Sequence, residues 1–160
     1  MGIDADFGWA YAKAQAAASS LLPRTGKAFL SVKKPDRPLV LEVARRLHAL
    51  GFSLAATSGT ADFLRGQGLA VESVHKVHEG RPHVVDHMKN GEIAVVMNTV
   101  ASGAGKADSL SIRREALHRG IPYYTTIRGA LAAVMGIEAT VRRPLTIRSL
   151  QEHHQATARA

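Results

Sequence analysis

A three-layer α/β/α fold built on a five-stranded parallel sheet is predicted by three features of the sequence. From Lys27 onward, short apolar runs of extended character alternate with segments of helical period, and strands separated by helices make βαβ units with helices on both faces of a parallel sheet. The length of 160 residues suits one such sheet. The hydrophobic fraction is 46% with only 5% aromatic residues, so Ala, Val and Leu fill the interior.

The elements follow in order. Residues 7–21, FGWAYAKAQAAASSL, repeat Phe7, Ala10, Tyr11, Ala14, Ala18 and Leu21 at helical spacing and predict a leading helix. Pro23 and Gly26 break it off, so it reads as an arm that packs on something else. KAFLSV (27–32) is the first strand, ended by Lys33-Lys34-Pro35, and Asp36 stands at the N-cap position of a helix over RPLVLEVARRLHAL. Val40, Val43, Ala44, Leu47 and Leu50 form the apolar face of that helix and Gly51 stops it. FSLAAT (52–57) is the second strand, Thr60 to Gly66 a helix, AVESVH (70–75) the third strand, and PHVVDHMKN (82–90) a helix begun by Pro82 and closed by Asn90-Gly91. EIAVVMN (92–98) is the most apolar strand. A small-residue loop, TVASGAGKA, leads to a helix from Asp108 to Arg119, a strand IPYYT (121–125), a helix around 128–136 and a last amphipathic helix after Pro144.

Composition narrows the function. The chain has no cysteine, which excludes disulfides and thiolate metal sites and is compatible with a reducing cytoplasm. No apolar run has the length of a membrane span, and the first residues lack the charged-then-apolar order of a signal peptide, so a cytoplasmic protein with no membrane partner is expected. The formal net charge of +8 attracts anions. Its basic pairs, Lys33-Lys34, Arg45-Arg46, Arg113-Arg114 and Arg142-Arg143, are spread along the chain without interleaved aromatics. That pattern favours phosphorylated small molecules over nucleic acid.

In open α/β sheets ligands sit beyond the carboxyl ends of the strands. The residues there are Ser31 and Lys33-Lys34, then Thr57-Ser58-Gly59-Thr60, then Lys76, Asn98-Thr99, and Tyr123 to Thr126. They make a rim of hydroxyls, amides and cations on which carboxylates are scarce. The turn Thr57–Thr60 has two readings: backbone N–H groups, threonine hydroxyls and a glycine fit for a phosphate dianion, or an ordinary hydroxyl cap by Ser58 or Thr60. Lys76 would add a point charge to the first reading. Asn98 is a side chain that reads a sugar or base edge, or else a turn residue. His83 and His87, four apart, with His78 upstream, have a spacing that can chelate zinc, but no third ligand and no HExxH pattern accompany them, so no metal is expected. No GxSxG nucleophile elbow occurs.

From Gly26 to Thr99 the chain closely resembles the C-terminal regulatory domain of the carbamoyl-phosphate synthase large chain, a member of the methylglyoxal-synthase-like fold. VHKVHEGRPHVVDHMKNGEI is the most specific stretch, supported by FLSV, ATSGTA, VVMNT, DSLSIRREAL and PYYTTIRGA. DFGWAYAKAQAAA resembles the connection from the preceding synthetase half. The resemblance implies a piece of a much longer enzyme, with 1–25 as connecting helix and linker and 26–160 as an effector-binding regulatory domain. It implies that the domain is not itself catalytic and binds a nucleotide monophosphate, UMP or IMP, with no cofactor of its own. Carried over by motif, the phosphate would lie on Thr57, Ser58, Gly59, Thr60, Lys76 and Arg37. Ser31, Asn98 and Asp108 would address ribose or base, with Val77, Val84 and Ile112 lining an apolar slot, and Tyr123 and Thr125 match residues near an ornithine site. Val100 departs from the family's Asn-Thr-Thr and loses a hydroxyl.

The parent enzyme so implied is a glutamine-dependent ligase of pyrimidine and arginine biosynthesis that uses ATP and Mg. The partners implied are the rest of the large chain and a small glutaminase subunit, and the sheet rim and leading helix leave room for self-association. The competing reading is a small lyase of the methylglyoxal synthase type acting on a triose phosphate. Such a lyase needs a carboxylate base beside the phosphate seat, and the GGDQ loop of that family has no counterpart around 98–105.

Overall fold

A computed structural model describes residues 1–99 and 105–158. Its elements are α1 (Phe7–Ala17), β1 (Lys27–Ser31), α2 (Arg37–Ala49), β2 (Ser53–Ala56), α3 (Ser58–Gly66), β3 (Glu72–Ser73), α4 (Val84–Lys89), β4 (Ile93–Asn98), α5 (Gly105–His118), β5 (Tyr123–Tyr124), α6 (Ile127–Arg142) and α7 (Leu150–Ala158), with single 3-10 turns at Lys34–Asp36 and Val77–Glu79. The five strands form one parallel sheet in the order β3-β2-β1-β4-β5. This is the α/β architecture that the alternation predicts.

Strand periodicity divides the core. Ala28 and Leu30 of β1, Leu54 and Ala56 of β2, and Val95 and Met97 of β4 face one way, packing with α2, α3 and α6. Phe29, Ala55 and Val96 face the other way, towards Val84, Val85 and Met88 of α4 and Ile112 and Ala116 of α5. Right-handed crossovers explain the split. The chain moves outward from β1 to β2 to β3 with its helices on one face, then returns to place β4 beside β1, so α4 and α5 fall on the opposite face.

Several boundaries differ from the pattern. The third and fifth strands shrink to two residues each, because both lie at sheet edges and pair on one side only. α3 begins at Ser58, with Thr57 as N-cap. Asp36 occupies the N-cap position of α2 but makes no capping bond, and its carboxylate lies 3.8 Å from Lys33 Nζ instead. Pro82 precedes the N-cap His83 and does not open α4, and α5 starts ahead of Asp108, which falls in its first turn. α1 ends at Ala17, where the chain turns through Ser19 at φ 57.

α6 runs to Arg142, straight through Gly136. The glycine is there for contact. α1 and the segment after it pack closely on α6: a Cβ on Gly136 would meet Tyr11 Cδ1 of α1 at 3.2 Å and Leu22 Cδ1 at 2.5 Å, and one on Gly8 would run into the Met135 carbonyl oxygen. Trp9, Ala12 and Ala139 close this contact, and Arg143 lies over the Trp9 ring at 5.3 Å. The leading helix therefore packs on α6 of its own chain. On the sheet side, α6 is tied to α2 by a two-point ion pair: Arg46 Nε to Glu138 Oε1 at 2.8 Å and Nη2 to Oε2 at 2.7 Å. That bonding holds the Glu138 carboxyl below its ordinary range against the opposing effect of burial.

Two outcomes follow from these contacts. Gly8→Ala, forced against a carbonyl that cannot move aside, lowers unfolding free energy by about 1–3 kcal/mol, while Gly66→Ala, with open space around it, is neutral; denaturant melts compare them. Glu138→Gln costs about 1–2 kcal/mol at neutral pH. Because the folded carboxyl titrates below its ordinary 4.5, that contribution is complete above this value and is lost as pH falls through the lower folded value. Wild type and variant should therefore converge in acid.

Candidate functional site

Among the described residues, six polar or charged side chains are buried: Thr57, Thr60, His83, Asn98, Thr99 and Asp108. Burial of polar groups costs free energy unless they are bonded, so their placement is informative. Five of them line one cavity of about 410 Å³, and the sixth, His83, caps α4. The cavity opens beyond the carboxyl ends of β1, β2 and β4, where the direction of strand order reverses.

Its first wall is the β2–α3 turn. Thr57 is extended (φ −62°, ψ 149°) and forms no side-chain cap; its hydroxyl donates to Thr60 Oγ1 at 3.4 Å instead. Thr60 reaches across to β1, accepting from the Val32 amide at 3.4 Å. The first-turn N–H groups of α3 have no intrahelical acceptor, and together they carry the positive end of the helix. Gly59 admits Arg37 to this turn: a Cβ there would stand 2.5 Å from Arg37 Nη2. Arg37 Nε is buried without a hydrogen-bond partner.

Lys33, Lys34 and Lys76 complete the cationic lining. Lys33 and Lys76 stand 3.8 Å from Asp36 and Glu79, pairs too long and exposed to commit either ammonium. The strand ends are cross-tied, with Thr99 N–H donating to the Ser31 carbonyl at 2.9 Å and the Lys33 amide donating to Thr99 Oγ1 at 3.1 Å. The far wall differs in character. Asn98 Nδ2 donates to Ser109 Oγ at 3.2 Å and to Tyr123 Oη at 2.9 Å, which uses both amide hydrogens and leaves Oδ1 as an acceptor. Asp108 is the only carboxylate among the described residues that line it. The cavity is thus cationic and donor-rich at one end, and acceptor-rich at the other.

Of the residues singled out by sequence, Ser31, Arg37, Thr57, Gly59, Thr60, Lys76, Asn98, Asp108 and Ile112 come together in this cavity. Ser58 does not, because as the first residue of α3 it is exposed on the outer side. Val77 and Val84 are not among its lining either; Val84 packs into the apolar cluster with Phe29 and Ile112 as α4 turns its apolar face to the sheet, and Val77, on the 3-10 turn ahead of it, packs against the same cluster. Tyr123 touches the site through Asn98, whereas Thr125 is exposed. Val100 lies outside the described residues. Ser109 and Val32, which no motif marks, also line the cavity, as does His78, whose spacing to His83 and His87 suggests only a metal ligand. Ser109 was within reach of the sequence pattern, because Asp108, Ser109 and Ile112 share one face of a helix at i, i+1 and i+4.

The histidines have other partners. His83 and Asp86 bond reciprocally at the start of α4, where the His83 amide holds the Asp86 carboxyl below its ordinary range, and His87 bonds Glu92 at 2.7 Å. A larger groove of about 530 Å³ lies between α1 and the end of α6, lined by Leu21, Leu22, Val141 and Leu145. Its polar groups serve the packing: Arg24 donates to the Thr140 carbonyl, and Arg143 pairs with Asp4. No helix among the described residues is long and apolar enough to cross a membrane.

The family model described as "MGS-like domain" matches residues 39–125. The chain is 46% identical to the carbamoyl phosphate synthase large chain of Myxococcus xanthus over 153 residues, which is 96% of this chain and 14% of that protein. It is 46% identical to that of Methanosarcina acetivorans over 156 residues, 97% of this chain and 15% of the relative. Against that of Xanthomonas campestris it is 48% identical over 155 residues, 97% and 14% of the two. The chain therefore spans about one-seventh of the length of these relatives.

The far wall yields a direct check. Asn98→Leu keeps the shape but unpairs the Ser109 and Tyr123 hydroxyls, and should lower stability by about 1–2 kcal/mol. Tyr123→Phe in the same background should then add little, a non-additivity read from a double-mutant cycle.

Proposed function

The chain belongs to the MGS-like domain family, and on that premise we propose that it is an allosteric regulatory domain that binds a nucleoside monophosphate and acts on carbamoyl phosphate synthesis carried out elsewhere in a longer large chain. The observation that carries the reading is the polarity of the cavity. A seat made of a helix N-terminus, two threonine hydroxyls, Arg37 and three lysines suits a phosphate dianion, and the acceptor-rich wall at Asn98 and Asp108 suits a sugar or base bearing donors. Phosphoryl transfer would need metal-bridged polyphosphate and stabilisation of a leaving group. This cavity offers a place to sit and one carboxylate, which His78 already engages.

The roles divide along the walls. Thr57, Gly59, Thr60, Arg37 and Lys76 hold the phosphate, while Ser31, Asn98, Asp108 and Ile112 hold the rest of the ligand. The domain needs no cofactor for this, and ATP and Mg belong to the parent synthase. Residues 1–25 serve as the connection to the preceding part of that chain and residues 26–160 as the effector-binding unit. A ligand of this kind regulates only by binding two states of the parent with different affinity, and such coupling is typically about 1–3 kcal/mol.

Calorimetric titration with UMP and IMP tests the reading. Saturable binding is expected, weakened about tenfold or more by Lys76→Ala or Thr60→Ala, since each removes a bond to a charged phosphate. No saturation at millimolar nucleotide would overturn it. So would steady production of methylglyoxal from dihydroxyacetone phosphate, which would make the cavity a lyase site.

A further inference from the structure

One contact in the cavity has no part in the phosphate seat. His78, on the 3-10 turn Val77–Glu79, places Nδ1 2.5 Å from Oδ2 of Asp108 in the first turn of α5. With Asp108 ionised the proton lies on Nδ1, so the imidazole donates. The two ends of the contact are unequal: the Asp108 side chain is 11% exposed and that of His78 is 60% exposed. Both residues line the cavity, and the contact joins segments 30 residues apart across its mouth. The neighbouring carboxylate, Glu79, is turned back onto the Lys76 amide at 2.9 Å, so Asp108 is the partner that His78 holds.

We propose that His78 is a positioning residue that sets sugar specificity. By engaging Oδ2 it fixes the Asp108 carboxylate so that Oδ1 accepts a hydroxyl of the ligand, and the cavity thereby prefers ribose phosphates to their 2-deoxy counterparts. The inference rests on the monophosphate reading above and goes beyond it. A carboxyl group turns almost freely about its last torsion, so an unheld Asp108 would not present an acceptor in a fixed direction. Held at one oxygen, it stands on the same wall as Asn98 Oδ1, whose orientation Ser109 and Tyr123 fix. The two acceptors face a ligand whose anion is anchored at the opposite end. A vicinal diol supplies two donors to such a wall. A site built to bond a hydroxyl rejects the analogue lacking it, because the buried acceptor is then left unpaired.

The test is calorimetry of the 160-residue chain with UMP and with its 2′-deoxy counterpart. The wild-type protein should prefer the ribonucleotide by about tenfold, the worth of one bond to a charged acceptor. His78→Ala should reduce that preference to about twofold, and His78→Asn, whose Nδ2 can donate where Nδ1 did, should restore most of it. Inorganic phosphate should bind wild type and both variants alike. A wild-type ratio near one overturns the inference without any variant, as does an undiminished ratio in His78→Ala or failure of His78→Asn to differ from it. Failure of every phosphate compound to bind wild type removes the monophosphate reading itself and this inference with it, a result distinct from binding with an unchanged ratio.

Discussion

The reversal of strand order between β1 and β4 is the constraint on which the rest of the molecule depends. Parallel strands joined by right-handed crossovers send α2 and α3 to one face and α4 and α5 to the other. The connections part at the carboxyl ends of β1 and β4, and the cavity opens there among the described residues. Three strand ends and the first turns of α2, α3 and α5 converge on that gap.

The side chains in the gap find partners through small adjustable groups. Thr60 bonds to Thr57 and to Val32, Thr99 to Lys33, and Asn98 to Ser109 and Tyr123. The threonine bonds of 3.4 Å lie at the long end of the useful range, so these hydroxyls can turn towards a ligand at little cost. Asn98 and Asp108, in contrast, are held. The threonine wall is therefore adaptable while the opposite wall is fixed, an arrangement that suits a ligand whose charge provides affinity and whose uncharged part provides identity.

The central strands and α2 were legible because burial on both faces leaves continuous apolar runs, and helical period leaves an apolar face. The edge strands were overestimated: AVESVH and IPYYT have strand composition, but each finds one neighbour, and only two residues of each stay in the ladder. The helix expected around 128–136 runs on to Arg142, since local propensity disfavours Gly136 within a helix and cannot see Tyr11 and Leu22 packed against it. At the site, Thr57, Thr60, Lys76 and Asn98 were legible since strand ends can be located from sequence. Val77 and Val84 pack in the apolar cluster beneath the cavity, because an apolar residue next to a site motif belongs equally well to the core. The role of His78 could not be read at all, since it depends on a partner 30 positions away on another element.

Size does not mark the site: a groove lined by Lys27, His48, Phe52 and Glu72 measures about 670 Å³, and a more apolar one is also larger than the strand-end cavity. The groove between α1 and α6 has a volume of about 530 Å³ against about 410 Å³ at the strand ends. Its arginines, however, close local contacts, with Arg24 on the Thr140 carbonyl and Arg143 on Asp4 and over Trp9. The smaller cavity gathers five of the six buried polar side chains among the described residues and holds an arginine whose Nε has no partner. A fold can leave an apolar groove wherever two helices part, at no cost beyond lost packing. Five polar side chains buried around an open space each need a partner to offset the cost of leaving water, and Thr57, Thr60, Asn98, Thr99 and Asp108 each have one; that requirement is what distinguishes a polar site from a gap between elements.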